Sequence, residues 1–153
     1  MIAYASWFEG RRQPAANDSA PMVRARPMAP HAYLTLRRTA AGLSEHQAAA
    51  LIARDAAGIG AALDLVRLLE TGGTVARSRD TLMCLRRAYA FDPDVYFQLA
   101  DHAPGHAPQV CQGCGCSRDD ACVSPNGHDR CHWHDDAQCS RCAGLAPALG
   151  RVQ

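Results

Sequence analysis

The chain has 153 residues, one domain's worth by the usual ~100 to 200 residues per domain, which excludes a large multidomain machine. Hydrophobic residues are 48% of it and charged residues 20%, which is enough for one small core and too apolar for wholesale disorder. Sixteen arginines and no lysine face fifteen acids for a net charge of +1, so any contact with nucleic acid must come from a local arrangement of charge.

No apolar run reaches the ~18 residues of a spanning helix. Residues 1–10 also lack the basic flank and apolar stretch of an export signal. The expectation is a cytoplasmic protein with no membrane partner. Seven of the eight cysteines fall between Cys111 and Cys142. In an oxidising compartment that density would mean disulfides; in a reducing one it means metal.

Residues 1–30 carry Pro14, Pro21, Pro27 and Pro30 without apolar periodicity and read as a flexible tail, with four arginines against Glu9 and Asp18. Residues 31–102 read as helical. Tyr33, Leu34, Leu36 and Arg37 begin a first helix that Gly42 ends. Ser44-Glu45-His46-Gln47 has the form of a capping box and opens a second helix, to about residue 54, with Ala48, Leu51 and Ile52 at core spacing. Gly58 and Gly60 interrupt the pattern. A third helix runs from about residue 61 to Glu70, closed by Gly72-Gly73. Ser78 or Asp80 caps a fourth through residue 90, and Asp92-Pro93 starts a fifth that ends near Asp101. Residues 103–109 form a linker, and residues 144–153 a second tail.

Residues 110–143 have almost no aliphatic side chains between their cysteines, and a segment of ~40 residues without a core needs a staple. Cys111-Gln112-Gly113-Cys114 and Cys139-Ser140-Arg141-Cys142 are two C-x2-C knuckles that can present four thiolates to one tetrahedral zinc ion. Cys116, Cys122 and Cys131 remain, and with His132 or His134 as the nitrogen they could complete a second site. One or two zinc ions are therefore expected, with iron and sulfur as the competing occupant. Trp133 is expected to pack over the knuckles, and Cys84, alone on the fourth helix, to stay out of the metal set. Asp119, Asp120, Asp135 and Asp136 read as solvated turns. H-E-x-x-H, phosphate-cradling glycine loops and G-x-S-x-G do not occur, so a non-catalytic protein is expected.

Leu36-Arg37-Arg38-Thr39-Ala40-Ala41-Gly42-Leu43-Ser44, together with Leu69-Glu70-Thr71-Gly72, resembles the opening and closing signatures of the XRE-family (lambda-repressor-like) helix-turn-helix. The run from C-x2-C-G-C at Cys111 through C-x-W at Cys131 to C-S-x-C at Cys139 resembles the cysteine-rich tail of phage and prophage proteins. The resemblance implies a mainly α protein, with a five-helix repressor-like domain followed by a small zinc-stabilised module, that binds double-stranded DNA as a transcriptional regulator, with a homodimer on paired half-sites as the arrangement such domains use.

On that reading Arg37, Arg38, Arg77 and Arg79 contact phosphate, and Arg67, with Asp64, faces bases from the third helix. Two departures favour a competitor. The turn between the motif helices is enlarged around residues 54–60, and the third helix offers only Asp64 and Arg67 outside its apolar positions. The alternative function is an adapter that uses the same scaffold and zinc module to bind a partner protein.

Overall fold

The computed structural model describes residues 28–101, 107–123, 127 and 129–145. Most of the expected N-terminal tail, residues 103–106 of the linker, His128 and the chain from residue 146 lie outside the described residues. The fold is mainly α. Its helices are α1 (Pro30–Ala40), α2 (Glu45–Ile52), α3 (Ile59–Glu70), α4 (Arg79–Leu85), α5 (Pro93–Ala100) and α6 (Ser140–Leu145), with a 3-10 turn at Ala56–Gly58 between α2 and α3.

Local chemistry explains where each helix begins and ends. Pro30 opens α1 at a position where its missing N–H costs nothing. Gly42, at φ 72°, closes it, donating its N–H to the Thr39 carbonyl at 2.9 Å. The capping box of α2 forms in both directions: Gln47 N–H donates to Ser44 Oγ at 3.1 Å, and Ser44 N–H donates to Gln47 Oε1 at 2.8 Å.

The extra residues after α2 become a capped turn, in which Gly58 N–H donates to Asp55 Oδ1 at 2.9 Å. Gly60 lies within α3 instead of interrupting it. The fourth helix is shorter than its expected reach to residue 90. The Leu85 carbonyl accepts from both Ala88 and Tyr89, and the chain turns there, which carries Tyr89 and Phe91 into the core. A helix continued through this point would leave those two rings a different face to occupy.

The core joins Tyr33 and Leu34 of α1, Val66 and Leu69 of α3, Leu82 and Leu85 of α4 and Tyr96 and Leu99 of α5, with Phe91 between the last two elements. α2 packs chiefly on α3, α1 on α3 and α5, and α4 on α2 and α5. Tyr33 and Phe91 meet edge to face at 6.3 Å, a favoured geometry for aromatic quadrupoles. Two buried hydroxyls hold chain segments in place. Asp92 N–H donates to Tyr33 Oη at 2.9 Å, and Ala76 N–H donates to Tyr96 Oη at 2.8 Å.

The cysteine-rich segment has no extended strand among the described residues. It is built on three isolated antiparallel bridges, Val110 with Ser117, Val123 with Arg130 and Trp133 with Cys139. It is seated on the helices. Val110 enters the helical core, and Gly115 lies so close to α1 that a Cβ there would stand 3.0 Å from Arg37 Cδ and 3.2 Å from Leu36 Cβ. Gly115 also has φ 73°, so the knuckle requires glycine for its backbone as well as for its fit on α1.

Candidate metal centre

Each C-x2-C knuckle is shaped by backbone hydrogen bonds that turn its two sulfurs to one side. In the first, Gly115 N–H donates to the Cys111 carbonyl at 2.8 Å, and Cys111 N–H donates to the Cys116 carbonyl at 2.9 Å. In the second, Cys139 stands just ahead of α6 and Cys142 lies inside it, with Ala143 N–H donating to the Cys139 carbonyl at 2.9 Å. Gly113 leaves room for the two knuckles to meet. A Cβ at that position would fall 2.9 Å from Cys142 Sγ, closer than real contacts allow.

The four knuckle sulfurs, from Cys111, Cys114, Cys139 and Cys142, lie within 4.8 Å of one another and are placed to hold a metal ion. Cys111, Cys114 and Cys139 are buried. A tetrahedral ion with metal–sulfur bonds of about 2.3 Å separates its sulfurs by about 3.8 Å, and Cys114 and Cys139 already stand 3.8 Å apart. Backbone amides point at sulfur as they do around thiolate ligands: Cys139 N–H to Cys111 Sγ at 3.4 Å, and Cys122 N–H to Cys131 Sγ at 3.1 Å. All eight cysteines are free thiols.

Electrostatics of the sulfur set favour a cation. Hydrogen bonding from Cys116 pulls the Cys114 thiol well below its usual range, so one thiolate forms readily at the centre. Its neighbours then resist ionisation. The bond to Cys114 pushes Cys116 up, and burial followed by the Cys114 contact pushes up Cys142, and Cys122 to about 12. Burial also raises Cys111. Cys139 is buried too, yet the Cys142 N–H turns its shift downward. Several adjacent thiolates in one buried volume need positive charge among them, and a metal ion supplies it.

A second set of four sulfurs within 4.8 Å comprises Cys114, Cys116, Cys122 and Cys139. It differs from the expected grouping of Cys116, Cys122 and Cys131 with His132. Cys116 and Cys122 gather around sulfurs of the first site, Cys131 Sγ lies 3.6 Å from Cys116 Sγ, and the His132 side chain is exposed and belongs to neither set. The cause is local. His132 sits in the short pairing that ends on the second knuckle, where its carbonyl accepts from Ser140 N–H at 2.7 Å, and the alternation there turns Cys131 toward the sulfurs and His132 outward. Trp133 packs against the sulfur cluster, and Cys84 packs instead against the helical core.

The arginines expected at DNA are distributed unevenly. Arg37 is buried. Its Nε donates to the Ala90 carbonyl at 2.8 Å, and its Nη2 forms an ion pair with Asp120 Oδ2 at 2.6 Å. Burial raises the Asp120 carboxyl pKa, and the Arg37 guanidinium partly opposes that rise. Arg38 makes a bidentate contact with Glu70, the closest approach being 2.6 Å, and donates to the Leu43 carbonyl at 2.8 Å. Both guanidiniums are therefore internal struts rather than phosphate ligands.

Arg67 pairs with Glu45 at 2.9 Å, and Arg79 with Asp94 at 2.6 Å, all on exposed side chains except half-buried Glu45. Asp64 and Arg77 are exposed. Asp120, expected in a solvated turn, is instead the residue that ties the module to α1, and its short loop spacing carried no sign of this. Asp135 is a turn residue as expected, its Oδ1 accepting from Ala137 and Gln138 N–H. No family model, curated protein or solved structure matches the chain.

Proposed function

We propose that the protein is a non-catalytic DNA-binding regulator in which the α2–α3 pair docks on the duplex and the cysteine module is a zinc-held brace on α1. The observation that carries this reading is the Arg38–Glu70 contact. It joins the two separate segments on which the helix-turn-helix resemblance rests, Leu36 to Ser44 and Leu69 to Gly72, and it does so at the base of a consecutive, closely packed helix pair.

Zinc suits the sulfur set because the ion accepts four thiolates at tetrahedral spacing without further groups. A cubane iron–sulfur cluster places each of its four cysteine ligands on a different iron atom, farther apart than the sulfurs here. Arg77 and Arg79 supply phosphate contact, the latter by exchanging its exposed partner Asp94. Arg67 is the one long donor on α3, held by an exposed ion pair that is worth only about 0.2 to 1 kcal/mol.

The test is titration of the zinc-loaded full chain with a pool of random duplexes at several salt concentrations. Binding through phosphate gives a log–log slope that becomes shallower by about 1 in Arg77→Ala. Absence of binding at low salt defeats the reading. One observation favours the adapter function instead: Leu68 on α3 is 53% exposed, and Asp64 shares that helix. An exposed leucine beside an acid is better suited to a protein surface than to a phosphate backbone.

A further inference from the structure

Seven cysteines lie in one module, and two separate tetrahedral sites would need eight ligands. Among the described residues no histidine supplies the eighth ligand, since His132 and His134 are both exposed and neither belongs to a sulfur set. The two sets of four sulfurs overlap instead: Cys139 belongs to both, and so does Cys114. Its Sγ stands 3.3 Å from Cys122 Sγ on one side and 3.8 Å from Cys139 Sγ on the other.

We infer that the module holds two divalent ions joined through a shared thiolate, Cys114. Cys111, Cys139 and Cys142 complete the first ion's tetrahedron, and Cys116, Cys122 and Cys131 complete the second. Seven sulfurs with one shared close both sites, and no histidine, carboxylate or water is required. Cys139, which also belongs to the second set, is assigned to the first ion alone because the Trp133–Cys139 bridge and α6 hold it beside Cys142. Cys131 takes the remaining vertex from its position 3.6 Å from Cys116 Sγ.

A shared thiolate also explains the ordering of the loops. The short step Cys114-Gly115-Cys116 sets the shared sulfur beside one that binds only the second ion, and Gly115 at φ 73° makes that turn. Each thiol gives up one proton on binding, so loading the two ions releases up to seven protons and leaves all seven sulfurs as thiolates.

The inference rests on the first four-sulfur site holding metal, and the experiment separates the two claims. The full chain is loaded with cadmium-113, its ions are counted by native mass spectrometry, and cadmium NMR is recorded. Two ions per chain with resonances split by each other through the common sulfur are expected. Cys122→Ser is expected to leave one ion and one unsplit resonance, with the helices still folded. Two ions without mutual splitting overturn the shared thiolate, and so does a His132→Ala protein that loses an ion. One ion in the unaltered chain overturns the second site and leaves the first intact. No ion at all overturns both. A brown protein carrying iron and inorganic sulfide overturns the dinuclear assignment outright.

Discussion

Removing either partner of the Arg38–Glu70 pair should cost more than any other single charge deletion in the helical part. The Arg38 side chain is 11% exposed and Glu70 4%, and the pair shares three short hydrogen bonds between 2.6 and 3.0 Å. Tyr89 Oη adds a contact to Glu70 at 3.3 Å, and burial, followed by that carboxylate, lifts the tyrosine's own pKa. In Arg38→Met, Glu70 keeps its burial and loses its cation.

Breaking one side of such a pair costs about 3 to 5 kcal/mol. Against a total stability of about 5 to 15 kcal/mol for a domain, that is a large share. Glu70→Leu should cost a similar amount by stranding Arg38. The double variant should recover most of the loss, because replacing both buried charges with apolar groups is close to neutral. The assay is urea unfolding of the metal-loaded full chain, followed by helical circular dichroism, for the wild type, both single variants and the double variant. Strictly additive losses, or a single-variant cost below about 1 kcal/mol, would refute the reasoning, since either would mean the pair is solvated and uncoupled.

Further perturbations separate the remaining contacts. Gly113→Ala places a Cβ 2.9 Å from Cys142 Sγ and should lower metal affinity about 10- to 100-fold in a competition with a chromophoric chelator, while Gly72→Ala should leave it unchanged. Arg37→Ala leaves Asp120 half-buried without its cation and should destabilise the seating of the module on α1 by on the order of 2 to 4 kcal/mol; hydrogen exchange should rise first at Cys111 and Gly115.

Alkaline pH should weaken the fold through Tyr33 and Tyr89, whose pKa values are raised mainly by burial. Unfolded tyrosines release their protons near pH ~10 while the native ones retain theirs, so stability holds below that value and falls as pH rises beyond it, and Tyr89→Phe should flatten the decline. Arg67→Ala should relax base preference by about 1 to 3 kcal/mol if its guanidinium reads a guanine, measured by selection from random duplexes.

Much of the fold was legible because its signals are local. The Ser44 capping box, the Asp92-Pro93 start and the Gly42 stop each act within four residues, and each forms as the sequence implies. The same holds for the first metal site, since the C-x2-C spacing places two sulfurs on one side of a turn wherever it occurs. What escaped the sequence depends on partners far along the chain. Arg37 and Asp120 are 83 positions apart, so nothing near Arg37 separates a strut from a phosphate ligand. Arg38 shows the same limit with Glu70. His132 was misplaced because adjacency to Cys131 suggests a shared ligand role, whereas extended backbone sends neighbouring side chains to opposite faces.

The central claim is that metal, not disulfides or apolar burial, holds residues 110–143 together, and thiol protection tests it most directly. The full chain is treated with an alkylating reagent with and without a chelator, and each cysteine is read by peptide mass. With metal present, the seven cysteines from Cys111 to Cys142 should resist alkylation while Cys84, half-buried on α4, follows the exposure of the helical core and leaves the metal content unchanged. After chelation all seven should become reactive together. A metal-free chain that stays folded and protected, or Cys111 recovered in a disulfide, would contradict the account.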